Sequence, residues 1–344
     1  MKKIEIWSSF PSPVGGVSIH AFRLLNALSK DGNVIGVNFS QEELRYSSKL
    51  IRKSKGILEE IFRLKFIDTQ HYIHLHTLQL MPLLVLTLLF RKRVLITLHN
   101  KKLLNFNLIN KKIYLFIFRL ANVVFINEST LYKCLKVTGV NVLQTPAFLP
   151  PSILENELLP SRFVKFRESK KYLISMSVWT FNPESFKVYG LKYVLPILNK
   201  FPDISMCLCI SGKIDLDFFE MFKSELEREG KQNNVLILEN EISNGSIVWK
   251  ESDIFLRPTS TDAEGISVKE ALCLNTPVIA SDVCDRPLGT VIFKAGNIDD
   301  LLTKINYLLV NLEERKDHLY LMDKNKISSS EVYIEKVYEK LLEL

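Results

Sequence analysis

Two carboxylates, Asp262 and Glu270, stand with seven residues between them, on either side of the tripeptide Gly265-Ile266-Ser267. The tripeptide is placed to open a helix through Val268-Lys269-Glu270-Ala271-Leu272, which should stop near Asn275-Thr276-Pro277 before a short apolar strand, Pro277-Val278-Ile279-Ala280. A loop that turns into a helix N-terminus presents unpaired backbone N–H groups and the positive end of the helix dipole, which suits a phosphate. A carboxylate on each side accepts hydrogen bonds from hydroxyls. Amides for phosphates and carboxylates for sugar hydroxyls together fit a nucleotide-sugar.

Other residues could serve the same ligand. Gly15-Gly16 follows a predicted first strand and precedes a helix, so the backbone there can approach a phosphate closely. Lys187 and Arg257 are candidate cations for a diphosphate. His76 and His99 each follow a short apolar strand, which puts them at a strand end facing a ligand. His71, His74 and His76 alternate through Gln-His-Tyr-Ile-His-Leu-His, which fits a strand and cleft edge better than a zinc site, since no Cys lies near to complete one. Asp215-Leu216-Asp217 could be read as a metal-binding acidic triplet. Its place just before a helix is better explained by capping. No metal ligand set is expected.

The stretch from Leu256 to Gly289 resembles the signature of the family 4 retaining glycosyltransferases, which have the GT-B fold. The resemblance rests on the two acids with seven residues between, Gly265 five before the second, Glu270-Ala271, and Pro277-Val278-Ile279-Ala280. Arg257-Pro258-Thr259 and Arg286-Pro287-x-Gly289 look like a subgroup of it. The chain departs from the pattern in two places. Asp262 stands where Glu is usual. The second domain's first strand, Ser175-Met176-Ser177-Val178-Trp179, ends without the family's Arg, and Tyr189-Gly190 replaces its Lys-Gly, with Lys187 two residues earlier.

The resemblance implies a transferase that moves a hexose from a UDP- or GDP-linked donor, with retention of configuration and without a metal. The acceptor would be a lipid-linked saccharide, and the pathway a bacterial surface polysaccharide such as O-antigen or capsule. Amides of Gly15, Gly16, Gly265, Ile266 and Ser267, with Lys187 or Arg257, would hold the diphosphate. Glu270 would accept the ribose hydroxyls, and Asp262 and His99 would orient the sugar. No cofactor is implied beyond the nucleotide-sugar itself. A nucleotide-sugar epimerase of the same fold, or a catalytically silent scaffold that binds a partner enzyme, are the alternatives.

The elements that must position these residues follow from the apolar pattern. Strand and helix signals alternate along 344 residues, as in parallel sheets with helices on both faces. Strands are expected at Ile4–Ser8, Val34–Val37, Tyr72–Leu75, Val94–Leu98 and Val123–Ile126. After a proline-rich stretch the pattern restarts at Tyr172–Met176, Met206–Ser211, Val235–Ile237, Asp253–Leu256 and Val278–Ala280. This is an α/β chain of two Rossmann-like, doubly wound domains facing a central cleft. An acceptor domain is expected over 1–150, a linker over 151–168 and a nucleotide-sugar domain over 169–328. A terminal helix over 329–344 should pack back on the first domain.

Charge and cysteines narrow the setting. Residues 1–150 hold 21 Lys/Arg against 8 Asp/Glu, a balance of +13, and the rest holds 24 against 30, or −6, which gives the net +7. The basic residues cluster at Lys49, Arg52, Lys53 and Lys55, at Arg91-Lys92-Arg93, and at Lys101-Lys102 and Lys111-Lys112. No nucleic-acid module accompanies them, so an anionic membrane surface is the preferred partner. Five cysteines without a CxxC pair read as reduced thiols. The apolar run Leu80–Phe90 is too short to span a bilayer. A cytoplasmic protein, peripheral on the inner membrane face, is expected. The oligomeric state is not legible.

Overall fold

The computed structural model describes residues 3–11, 16–29, 33–40, 49–66, 71–99, 101–126, 129–145, 148–151, 158–169, 171–242, 244–262, 265–323 and Tyr338. The chain divides into two compact units, Met1–Leu149 with Ser329–Leu344, and Pro150–Ser328. Both are all-parallel sheets covered on both faces by helices, the α/β doubly wound class expected from the alternating pattern.

The first unit holds seven strands: β1 (Lys3–Ser8), β2 (Val34–Asn38), β3 (Ile51–Lys53), β4 (His71–Leu75), β5 (Val94–Leu98), β6 (Val123–Ile126) and β7 (Val142–Gln144). Their order is β3-β2-β1-β4-β5-β6-β7, and every pair is parallel. The central strands read as unbroken apolar runs, such as Val-Leu-Ile-Thr-Leu in β5, and all five residues of β5 are buried. Such strands have no solvent face, which is what a sheet with helices on both sides requires. One apolar layer gathers Trp7, Ile73, Ile96, Ile117 and Phe118. The other gathers Ile4, Ile6, Phe22, Leu25, Phe125 and Tyr338.

Tyr338 is the one described residue of the expected terminal helix. It is 3% exposed, stacks on Phe125 at 5.5 Å with planes 9° apart, and its hydroxyl meets His74 Nδ1. The rest of that segment lies outside the described residues.

The second unit holds six strands: β8 (Tyr172–Val178), β9 (Ile204–Ile210), β10 (Val235–Glu239), β11 (Ile254–Arg257), β12 (Val278–Ser281) and β13 (Val291–Phe293), in the order β10-β9-β8-β11-β12-β13. The segment expected as a linker over 151–168 is not all connection. Ser161–Glu168 is a helix whose Phe163 is 1% exposed and packs with Leu173, Trp249 and Phe255 in the core of this unit. Its amphipathic pattern is short and follows four prolines, which hides it in the sequence. Asp215 does cap a helix, Leu216–Arg228, with its side chain accepting from the Phe218 N–H at 3.2 Å.

In each sheet the strand order reverses once, between β1 and β4 and between β8 and β11. Open α/β sheets bind ligands beside such reversals, at the carboxyl ends of the strands.

Candidate functional site

In the second unit the sequence candidates collect where β8 and β11 part. β11 delivers Arg257 at its carboxyl end. The Arg257 Nη1 donates to the carbonyl of Ser177, near the end of β8, at 3.3 Å. Its Nε donates to Asp262 Oδ2 at 3.1 Å, and its guanidinium lies 5.3 Å over the Tyr189 ring. Asp262 Oδ2 accepts a second cation: Arg286 Nη1 at 2.9 Å. Arg286 is fixed from behind by the Ser281 carbonyl, which its Nε meets at 2.9 Å, and its side chain is fully buried.

Two arginines on one aspartate leave a local charge of +1. Burial pushes the Asp262 carboxyl up, but the hydrogen bonds and charges of Arg257 and then Arg286 outweigh it, so its pKa falls below the ordinary value. Asp262 is therefore a carboxylate at neutral pH that aims Arg257, and its Oδ2 has little capacity left for a sugar hydroxyl.

The helix Ile266–Cys273 begins beside this trio. Gly265 precedes it with φ 63° and ψ 60°, the left-handed region, and no side chain caps the start. A Cβ on residue 265 would fall 2.5 Å from Arg286 Nη1. Glycine is thus required twice, for its dihedral angle and for space. The open amides of Gly265, Ile266 and Ser267, the helix dipole and the +1 trio all favour an anion at one place.

Glu270 lies in the second turn of the same helix, where its Oε2 accepts from Trp249 Nε1 at 3.4 Å. Lys187 is exposed on the helix Pro183–Val188 and shares none of the contacts that join Arg257, Asp262 and Arg286, although Tyr189, two residues on, lies under Arg257. Gly190, two residues past that helix, has φ 69°, and Pro258 leaves no room for a side chain there, its carbonyl oxygen lying 2.4 Å from where a Cβ would sit.

In the first unit the reversal between β1 and β4 gathers histidines. His76 follows β4 and His99 follows β5, as their spacing suggested, and their rings meet, with His76 Nδ1 3.0 Å from His99 Nε2. His20 joins them from the helix Gly16–Leu28, its ring 4.8 Å from His99 and 5.8 Å from His76. His74 lies behind, with Nε2 2.7 Å from Thr97 Oγ1 and its ring 4.3 Å from that of His76.

Burial, more than the mutual charges, pushes His74 and His76 well below the ordinary histidine range and His99 down to about 3. All three rings are neutral at pH 7. His71, at the start of β4, belongs to a different group: its Nε2 is 3.4 Å from Glu5. Gly16 opens the helix that carries His20, and Gly15 lies outside the described residues.

Arg286, Trp249 and His20 were missed as site residues. Arg286-Pro287 was visible as a motif, but nothing in the sequence tied it to Asp262. The basic cluster at 49–55 also changes meaning. Arg52 is not a free surface charge, because it is paired with Glu60, with Nη1 2.5 Å from Oε1. Lys49, Lys53 and Lys55 remain exposed. They precede the helix Ile57–Lys65, from which Leu58 and Phe62 project at 79% and 66% exposure, followed by Phe66 at 76%.

Residues 165–319 match the family model for glycosyl transferases group 1. The chain has no match among curated proteins. Among solved structures it resembles a glycosyltransferase from Rickettsia africae, with 16% identity over 99% of both chains and a TM-score of 0.67. HepE from Anabaena, in complex with UDP, is 14% identical over 99% of this chain and all of that one, with a TM-score of 0.64. Sucrose-phosphate synthase from Thermosynechococcus elongatus is 14% identical over 99% of both, with a TM-score of 0.58. The shared architecture is GT-B, two doubly wound sheets in one chain.

Proposed function

We propose that this chain, whose second unit is a group 1 glycosyltransferase domain drawing on a nucleotide-sugar donor, moves a hexose to a lipid-linked saccharide with retention of configuration. The surface polysaccharide pathway named above is the setting this reading gives it. The observation that carries the donor assignment is the clamp of Arg257 and Arg286 on Asp262 beside the open helix start at Gly265. A departing nucleoside diphosphate builds negative charge, and preorganised cations and amides stabilise it without reorganising.

Arg257 is the better-placed cation, because Asp262 and the Ser177 carbonyl fix it, whereas Lys187 is exposed. Glu270, held by Trp249, takes the ribose hydroxyls. His99, neutral at pH 7, donates to or accepts from a hydroxyl of the sugar without a competing charge. HepE has been crystallised with UDP-glucose, which favours a uridine nucleotide. Nothing in this scheme calls for a metal.

A membrane-bound acceptor is supported by the first unit's charge and by the apolar stripe of Leu58, Phe62 and Phe66 beside exposed lysines. Exposed aromatic residues beside exposed basic ones suit the interface of an anionic bilayer. Among the described residues, no helix is long and apolar enough to cross a membrane.

Incubation with UDP- and GDP-hexoses and an undecaprenyl-linked saccharide tests the reading. Release of nucleoside diphosphate with a lengthened glycan is the expected result. An epimerised donor would replace the reading with an epimerase, and an unchanged donor across the panel would leave a silent scaffold.

A further inference from the structure

Among the grouped histidines of the first unit, donor binding accounts for His99 alone. His20, His76 and His99 come from three elements, yet one ring nitrogen of each lies within 4.8 Å of the other two. Two of those residues are buried, and an apolar side chain would fill a buried place at less cost in desolvation. His76 has one nitrogen on His99, while its Nε2 is buried with no hydrogen-bond partner.

The distances suit a metal. Two nitrogens bound 2.0–2.1 Å from zinc at the tetrahedral angle stand about 3.3 Å apart. His76 Nδ1 and His99 Nε2 stand 3.0 Å apart. A cation replacing the shared proton would need them to open only slightly, with His20 turning inward. His74 supports the group and stays outside it, since Thr97 and Tyr338 engage its two nitrogens. Its ring packs on His76 and limits that side chain's movement.

We infer that His20, His76 and His99 are a three-histidine site for a borderline transition-metal dication, zinc foremost, with a fourth position open beside the partly exposed His99. Imidazole suits zinc, copper, nickel or iron(II). Magnesium and calcium want oxygen ligands, and the group contains none. The metal is an occupant rather than a reagent. Given the role assigned to His99 above, an occupied site takes that ring away from the donor sugar and inhibits transfer.

Calorimetry of the full chain with zinc chloride should give one equivalent bound. Cobalt(II) should give the visible bands of a tetrahedral nitrogen site, and excess magnesium should displace neither. His20→Asn and His99→Gln, each checked for folding by circular dichroism, should each weaken zinc by at least about tenfold. No stoichiometric binding, or binding unchanged in both variants, overturns the site; the second result would place the metal on the cysteines or the surface. Zinc should also slow nucleoside diphosphate release, and a chelator should restore it. Zinc bound without inhibition overturns the link to the donor. A protein inactive with every donor overturns the transferase reading and leaves the calorimetry standing.

Discussion

Arg286 occupies the space that a side chain on residue 265 would take, with its Nη1 2.5 Å from the position of a Cβ at Gly265. Glycine at 265 is therefore part of the cation clamp as well as of the helix start. Gly265→Ala should cost about 1–3 kcal/mol for the left-handed backbone alone. It should also push Arg286 off Asp262 and weaken the donor nucleotide. Thermal unfolding and UDP titration check both effects. An alanine variant with unchanged stability and affinity would mean that neither constraint operates.

Arg257 and Lys187 differ in how they are held, and their variants should differ accordingly. Arg257→Ala should reduce turnover by about 100-fold or more, the scale of removing one preorganised donor from a developing anion. Arg257→Lys should recover little, since a lysine cannot span both Asp262 and the Ser177 carbonyl. Lys187→Ala should cost under tenfold. Steady-state kinetics that reverse this ranking would move the diphosphate to Lys187.

Glu270→Ala should leave the fold intact and cost on the order of 2–3 kcal/mol of donor affinity, the value of charge-assisted hydrogen bonds to hydroxyls. That is roughly a hundredfold in Kd. The 2′-deoxy nucleotide should bind wild-type protein more weakly and the variant no differently from UDP. Equal affinity of wild type and variant for UDP rules out the ribose assignment.

The neutral histidines make stability fall on acidification. His74, His76 and His99 have folded pKa values depressed below their unfolded value of about 6.5, so the unfolded chain binds more protons in that window. Their contribution is complete above about pH 6.5 and is lost as pH falls toward the folded values, at about 1.4 kcal/mol per pH unit for each ring. Asp262, also depressed, adds a loss of the same sign only below about pH 4. Urea midpoints should be flat from pH 8 to 7 and fall steeply from 6.5 to 5. A midpoint that does not move over the lower range would show that the rings are solvated.

Co-sedimentation with vesicles should require anionic lipid, weaken with added salt, and fall when Lys49, Lys53 and Lys55 become Gln. Phe62→Ser should weaken it further, because Phe62 and Phe66 form an exposed pair with ring centroids 5.1 Å apart. Arg52→Gln should lower thermal stability instead, through loss of its pair with Glu60. Equal binding to neutral vesicles would assign the attachment to the apolar stripe alone, and none to either would remove the membrane from the function.

The sequence revealed most where one residue type answers to one constraint. Buried parallel strands show as apolar runs, so β5 and β6 were placed to the residue. Gly265 and Glu270-Ala271 were legible through a spacing that resembles a family signature, and Gly265 does precede a helix with φ 63°. Pairings across elements were not legible. Nothing local distinguishes Arg52 bound to Glu60 from a solvated arginine, and Arg286 reaches Asp262 from 24 residues away. His20 sits inside an ordinary amphipathic helix pattern. Short edge strands such as Ile51–Lys53 and Val291–Phe293 have three residues each, too few for a period to show.

Tyr338 enters the core of the first unit only after the whole of the second has intervened in the chain. On the ribosome, then, the unit begun first cannot close its core until the second has been made. Until residue 338 emerges, His74 lacks its phenol and Phe125 its stacking partner. A nascent chain halted at residue 328 would carry the whole second unit and a first unit without Tyr338 in its core. Tyr338 thus makes the packing around His74 and Phe125 wait on synthesis of the second unit.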